Sequence, residues 1–477
     1  MQRILSSEQM KNADNFTINT LGISSEVLVE RAGLAVANEI KNRFKGGRVL
    51  VCIGKGNNGE DGKVIANILS KTHGFSVATL NVYNGIFKLF DKKYDLIVDC
   101  IFGIGLNREV TGKYKTAIEK INSSGAFVIS CDIPSGLNAN TGKPMGISVN
   151  ADLTVAIQEF KLGHFLGDGF DYCGETISKD IGISVWSDEF YKKLEDKDLI
   201  KFFMPAPRNV HKGSFPKVAI IGGSKPYSGS VILSSNALTA LKTGCGYSRL
   251  LIPDSIFSVV AGVNPEIIID TTSNNDDFLT FEKNKLDKLL DYDSIAIGMG
   301  AGINENVYKI ICYLLENYQK RLIIDADALN CLSKFGKDVL KNKKCEVVLT
   351  PHLGEFSRLV GVEKEELIND IIRLACEFAR EYGVVINVKS AVSIITDGLE
   401  TYINTTGSNG MAKAGSGDVL SGLTAGIIAK KFDLLESVAV SARLFGLCGE
   451  YAQRKYNQFT LTASDVISVL PDVINKL

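Results

Sequence analysis

The run Asn409-Gly410-Met411-Ala412-Lys413-Ala414-Gly415-Ser416-Gly417-Asp418 leads straight into the helical pattern Val419-Leu420-Ser421-Gly422-Leu423. Glycines at 415 and 417 let the backbone turn so that several N–H groups converge, and the following helix adds its positive N-terminal end. Such a loop is a cradle for phosphate. Asp418 stands at its mouth. A carboxylate beside an anion hole costs energy, which points to handling a proton or positioning a hydroxyl. The simpler alternative is a Gly-rich turn capped by Asp418.

A second loaded loop, Gly54-Lys55-Gly56-Asn57-Asn58-Gly59-Glu60-Asp61-Gly62, follows the first long apolar run. Its spacing is not that of the usual dinucleotide fingerprint. Asn57, Asn58 and Asp61 suit hydrogen bonding to a polar ligand or oxygen coordination of a hard cation. An Asn-Gly turn with a helix cap at Asp61 is the alternative. Two further apolar runs end at an Asp beside a Gly-containing turn. Leu96–Asp99 runs into Cys100–Glu109, and Ile129–Asp132 runs into Ile133-Pro134-Ser135-Gly136. Parallel strands gather their carboxyl ends, so Asn58, Asp99, Asp132 and Ser135 are expected to share one crevice.

In the second half, Gly298-Met299-Gly300-Ala301-Gly302, Asp325-Ala326-Asp327-Ala328-Leu329-Asn330, Thr350-Pro351-His352-Leu353-Gly354-Glu355 and Lys389-Ser390-Ala391-Val392-Ser393 each close a strand or open a helix. His352 suits contact with a polar substrate; the alternative is a loop histidine bonded to backbone. Lys389 is expected to face the Gly-rich loop, where an ammonium favours phosphate, rather than solvent. Asp325 and Asp327 orient loops or bind metal, and both readings stand.

The scaffold for these loops is legible as strands of near-continuous β-branched and apolar residues. They are 48–54, 75–83, 94–100, 126–133 and 151–157, then 217–223, 247–253, 294–300, 321–325, 346–350 and 384–388. Helical spacing separates them, as at 62–71 and 112–122, and a helix of small residues is expected over 234–244. Such alternation means parallel sheets covered on both faces, a three-layer α/β fold. A late pair, Ser393–Thr396 and Thr401–Asn404 about Asp397-Gly398, reads as a hairpin. The charged stretch 188–198 and the prolines at 205 and 207 put a domain boundary near residue 200.

The 477 residues exceed one ordinary core, and 45% hydrophobic with 22% charged residues is a soluble globular composition. A net charge of −1 without a basic stripe argues against nucleic acid, and no apolar run is long enough for a membrane span. The first eight residues lack a signal-peptide core, and ten scattered cysteines without a Cys-x-x-Cys pair suggest a reducing cytoplasm. The four histidines lie too far apart for a zinc-type cluster.

The GKGNNGEDG, VDCIFGIG and CDIPSGLNANTG segments resemble the epimerase domain that acts on hydrated NADH and NADPH, the YjeF N-terminal domain, over residues 1–200. The resemblance implies a Rossmann-like αβα domain. It implies contacts to the hydrated nucleotide from Asn57, Asn58, Gly59, Glu60 and Asp61, from Gly103, Ile104, Gly105, Leu106, Asn107, Arg108 and Glu109, and from Asp132. It also implies a potassium ion on Asn58, Asp99 and Ser135. Asp132 is then the candidate for proton transfer at C6 of the ring. The family usually has Gly where Glu60 stands; a side chain there either crowds the ligand or points to solvent.

Residues 203–477, through HKGSFPKV, GMGAG, DADALN, TPHLGE, VKSAVS and NGMAKAGSGDVLSG, are similar to the ADP-dependent dehydratase for the same hydrates, which is ribokinase-like. That similarity implies substrate contacts at Ala237, Gly302, His352 and Asp418. It implies ADP contacts at Lys389, Ser390, Ala391, Val392 and Ser393 and at Ser408–Gly417, with magnesium on the ADP phosphates. Asp418 is the expected base for the C6 hydroxyl. The substrates implied are NADHX, NADPHX and ADP, and a homo-oligomer is expected. Two other readings are a ribokinase-type alcohol or vitamin kinase fused to a ligand-binding domain, and a first half that serves only as an interaction scaffold.

Overall fold

The computed structural model describes residues 1–85, 87–186, 190–239, 244–273 and 277–477. Ser187, Asp188 and Glu189 of the charged stretch, and residues 240–243 of the expected small-residue helix, lie outside the described residues. Two compact units part between Tyr191 and Lys192: Gln2–Tyr191, and Lys192–Leu477 together with Met1.

The first unit is built on six parallel strands: β1 (Gly47–Ile53), β2 (Phe75–Asn81), β3 (Leu96–Cys100), β4 (Phe127–Cys131), β5 (Leu153–Ile157) and β6 (Glu175–Lys179). Their order is β2-β1-β3-β4-β5-β6. Side chains alternate along a strand, and the alternation separates two cores. Val49, Val51 and Ile53 of β1 pack with Leu28, Val36 and Ile40 of helix α1 (Ser25–Arg43) and with Ile65 and Leu69 of helix α2 (Asn57–Ser70). Leu50 and Cys52 point the other way, onto Ile118 and Ile121 of helix α3 (Gly112–Asn122). Each such residue, fully buried, stabilises the fold by about 1.5–3 kcal/mol. This is the expected three-layer architecture. The chain leaves β1 for β2 on one side and returns to β3 on the other, so a crevice opens between the carboxyl ends of β1 and β3.

The second unit contains β7 (Lys217–Ile221), β8 (Tyr247–Pro253), β9 (Ile268–Thr272), β10 (Ser294–Ile297), β11 (Arg321–Ile324), β12 (Glu346–Leu349), β13 (Val385–Val388), β14 (Ser393–Thr396) and β15 (Thr401–Asn404), in the order β9-β8-β7-β10-β11-β12-β13-β14-β15. Pairing is parallel as far as β13 and antiparallel through β14 and β15. The expected hairpin is present, with Asp397 Oδ1 accepting from the N–H groups of Leu399 and Glu400 at 2.8 Å each. Helices α4 (Ser228–Thr239), α5 (Leu353–Val360), α6 (Ser416–Ile428) and α7 (Leu434–Tyr456) flank the sheet. Small residues let α4 and α6 approach closely: a methyl group on Gly422 would lie 2.0 Å from the Ser234 carbonyl oxygen. All ten cysteines are unpaired. No helix among the described residues is long and apolar enough to cross a membrane.

Candidate active sites

In the first unit, α2 begins at Asn57 with Gly56 as its cap, so Asn57–Asp61 form its first turns rather than a free loop. The alternative of a helix cap at Asp61 therefore fails: Asp61 lies inside the helix. Gly59 is packed against the strand end, and a methyl group there would sit 2.2 Å from the Gly54 carbonyl oxygen. Backbone cannot yield at that distance without displacing the loop. Gly59→Ala is expected to lower stability by about 1–3 kcal/mol and to weaken substrate binding, checked by denaturant unfolding and by KM.

A cavity of about 590 Å³ opens over this helix start, a size in the range of small-molecule sites. Asn57, Asn58, Asp61, the run Gly103–Arg108 and Asp132 line it, together with Lys161. Glu60 turns outward to an ion pair with Lys63 at 2.7 Å, so its side chain does not crowd the ligand. Glu109 is exposed beyond the lining run.

Asp99 is fully buried at the end of β3. Its Oδ1 accepts from Ser135 Oγ at 2.6 Å and the Ile101 N–H at 3.2 Å, and Oδ2 from the Ser135 N–H at 2.8 Å and Ser130 Oγ at 2.9 Å. Burial raises its pKa against the pull of those donors. Among the described residues no basic side chain pairs with it. Asn58 donates through Nδ2 to the Cys131 carbonyl at 2.8 Å, while its Oδ1 is buried without a partner among the described residues. Asn58, Asp99 and Ser135 are thus held by hydrogen bonds about the ends of β3 and β4.

Asp132 has φ +71°, in the left-handed region. Its Oδ1 pairs with the Nζ of Lys161, which is 1% exposed. Asp61, facing it, is pushed up to about 8, first by burial and then by the charge on Asp132. At neutral pH one carboxyl in this cavity is therefore protonated and offers a donor. His164 is pushed down to about 4 by burial and by Lys161, and so is neutral. Lys161 and His164 escaped the sequence reading. Their signal was position alone, just past the end of β5.

In the second unit, Gly415 takes φ +90° as the cap of α6, and Ser416 Oγ donates to the Met411 carbonyl at 2.8 Å. The N–H groups of Gly417 and Asp418, in the first turn, have no intrahelical acceptor and form the expected cradle. The loop is pinned by Ser408 Oγ to the Gly449 carbonyl at 3.3 Å, by the Gly410 N–H to Gln453 Oε1 at 3.0 Å and by Lys413 Nζ to the Phe459 carbonyl at 2.9 Å. Asn409–Met411 form a short 3-10 turn, with Ala412 and Ala414 exposed. Lys389 reaches this loop: a methyl group on Gly417 would lie 3.4 Å from its Nζ. Ser390 and Ala391 are exposed at the turn, Val392 is buried and Ser393 opens β14.

Asp418 is pushed up to about 7, first by burial and then by Asp325, while the Ser230 hydroxyl and Lys389 pull it down. Lys389 donates to the buried Asp325 at 2.8 Å, and the Ser421 hydroxyl donates to the other Asp325 oxygen. Ala326 between the two acids has φ +50°, which aims Asp327 at the Gly302 N–H, 2.8 Å away. His352 caps α5: its Nδ1 accepts from the Gly354 and Glu355 N–H groups at 3.0 and 3.2 Å. Its pKa is lowered by burial and by Lys389, and Nε2 of this half-exposed side chain lies 3.5 Å from Glu355 Oε1. The reading of His352 as a loop histidine bonded to backbone therefore holds for Nδ1. His352 pairs with Lys389, which reaches the Gly417–Asp418 turn; Ala237 is buried in the packing of α4 against Val419 and Ala463.

A family model described as NAD(P)H-hydrate dehydratase matches residues 218–472, and one described as YjeF-related protein N-terminus matches residues 25–88 and 78–163. A bifunctional NAD(P)H-hydrate repair enzyme of Dictyoglomus turgidum is 33% identical over 516 residues, covering 100% of this chain and 99% of its own length. One of the same description from Thermofilum pendens is 32% identical, covering 98% of this chain and 95% of its own. Among solved structures, a ribokinase-like superfamily protein of Enterococcus faecalis aligns with a TM-score of 0.52 at 24% identity, covering 60% of this chain and 96% of its own, which shows the fold of the second unit. Two units with the architecture of those models, matched along the full length of the relatives, place the chain in the family of bifunctional NAD(P)H-hydrate repair enzymes.

Proposed function

We propose that the first unit, read as the epimerase domain over residues 1–200, interconverts the R and S forms of NADHX and NADPHX. The second, over residues 203–477, dehydrates the S form with ADP, giving NAD(P)H, AMP and phosphate. The observation that carries the reading is Asp418: a carboxyl held near neutrality, beside helix N–H groups and a lysine that suit a phosphate. In this scheme Asp418 takes the proton of the C6 hydroxyl as its oxygen attacks the β-phosphorus of ADP and AMP leaves. The C6–O bond of the resulting phosphate ester then breaks, inorganic phosphate leaving as N1 donates its electron pair, and loss of a proton from C5 restores the dihydropyridine. The Gly417 and Asp418 N–H groups and Lys389 stabilise the charge on the transferred phosphoryl. Gly302, His352 and Ala237 are read as the contacts that orient the hydrate. Lys389–Ser393 and Ser408–Gly417 hold ADP. A magnesium ion on the ADP phosphates would neutralise charge there. Incubation with NADHX and ADP, followed by ³¹P NMR, is expected to show one AMP and one phosphate per NADH formed; ADP consumed with another alcohol instead would support the ordinary kinase.

In the first unit, the start of α2 at Asn57–Asp61, with Glu60 turned outward, and Gly103–Arg108, with Glu109 at their outer end, embrace the hydrated ring and its nucleotide, and Asp132 moves the proton while C6 is opened and remade. A potassium ion suits Asn58, Asp99 and Ser135, a reading supported by a buried Asn58 Oδ1 and a buried Asp99 side chain that have no hydrogen-bond partner and no basic partner, respectively, among the described residues. When bound it would supply the missing positive charge and fix the β3 and β4 loops. Replacing potassium with tetramethylammonium is expected to reduce epimerisation by about tenfold or more, with dehydration of the S form unaffected by this site. An unchanged epimerisation rate contradicts the assignment.

A further inference from the structure

Asp132 sits in a backbone conformation that residues with side chains avoid. The last residue of β5 and the segment after it grip Asp132 at three points. Lys161 Nζ and the Ile157 N–H, at 3.2 Å, both donate to Oδ1. His164 Nε2 lies 2.8 Å from the Asp132 carbonyl oxygen. The other nitrogen of His164, Nδ1, accepts the Lys161 N–H at 3.0 Å. A neutral imidazole whose Nδ1 accepts must carry its proton on Nε2, so His164 donates to that carbonyl. Lys161 is itself held by a second bond to the Ile157 carbonyl at 2.6 Å. Oδ1 is thereby committed. Oδ2 is left on the cavity side, 3.5 Å from where a methyl group on Gly103 would stand. A fully buried ammonium is costly unless paired, and here the carboxylate it pairs with among the described residues is the residue assigned to the chemistry.

We propose that Lys161 and His164 are positioning residues of the epimerisation: His164 holds the strained backbone of Asp132, and Lys161 occupies Oδ1 and balances its charge, so that Oδ2 alone faces the hydrated ring. The inference rests on the assignment of Asp132 to proton transfer. It explains why a lysine is buried at a cavity that binds a polar nucleotide, with its charge spent on a neighbour.

The test uses the full chain, with dehydration of the S form and the thermal unfolding transition as checks of folding. Lys161→Met is expected to lower the kcat of epimerisation by about a hundredfold with little change in KM, because the carboxylate is still present but free to turn. Lys161→Arg, which keeps the charge, or ethylammonium added to Lys161→Ala, is expected to restore part of that kcat. A wild-type kcat in Lys161→Met overturns the proposal. So does a loss of kcat that neither Lys161→Arg nor ethylammonium relieves, which would make Lys161 structural only. Failure of the underlying reading is distinguishable, since it appears as wild-type epimerisation in Asp132→Asn.

Discussion

Asp418→Asn is expected to lower ADP-dependent dehydration by about 10²–10⁴-fold, the range for removing a positioned general base, while R-to-S epimerisation continues at the wild-type rate. The side chain changes by one atom, so the cradle of N–H groups at the start of α6 keeps its shape and ADP binding is retained. Two accompanying effects separate a proton-transfer role from mere packing. With wild-type protein, the dehydration rate falls as pH drops below about 7, because Asp418 is held up by burial and by Asp325 and Asp327. An ordinary carboxylate would sustain activity to about pH 5. A group whose folded pKa lies above its unfolded value favours folding less as pH rises between the two. Above pH 7 the ionised Asp418 therefore costs stability. Asp418→Asn removes that cost and is expected to be more stable than wild type at pH 8 by about 1–3 kcal/mol, read by denaturant unfolding. Loss of activity with loss of stability would point to packing instead.

Asp132→Asn is expected to reduce epimerisation by about 10²–10⁴-fold with dehydration of the S form intact. Asparagine keeps an oxygen for Lys161 but leaves that buried ammonium without a countercharge, so stability falls by about 1–3 kcal/mol. The direction is opposite to that of Asp418→Asn. The contrast follows from the surroundings: Asp132 is matched by a buried cation, whereas Asp418 is crowded by other acids. Separate assays with the R and S forms check both variants, and epimerisation at the wild-type rate would remove Asp132 from the chemistry.

The crevice residues were legible because of where the strands stop. Apolar runs ending at Asp99, Asp132 and Asp325 announce the carboxyl edge of a parallel sheet, and the loops there follow from topology. The reach of Lys389 to the Gly417 loop came from the same reasoning. What the sequence hid was set by contacts distant along the chain. Lys161, in a polar-looking Glu-Phe-Lys segment on a two-residue strand, reads as a solvated side chain; only the φ of Asp132 and the turn of His164 bury it. The start of α2 at Asn57 was masked by Asn and Gly, residues that signal turns but here bring backbone close to the Gly54 carbonyl. The edge strands Glu175–Lys179 and Ile268–Thr272 were missed because their partly solvated faces carry Glu, Ser, Asp and Thr, which dilute the apolar signal.

That one chain returns both epimers of a hydrated nicotinamide nucleotide to the reduced cofactor is directly testable. A mixture of R- and S-NADHX, given with excess ADP, magnesium and potassium, tests it through absorbance of the reduced ring. The expected result is recovery of all the NADH, with the R fraction consumed faster than its uncatalysed interconversion allows. A plateau at the S fraction would contradict the role of the first unit, and no recovery of either form would contradict the account as a whole.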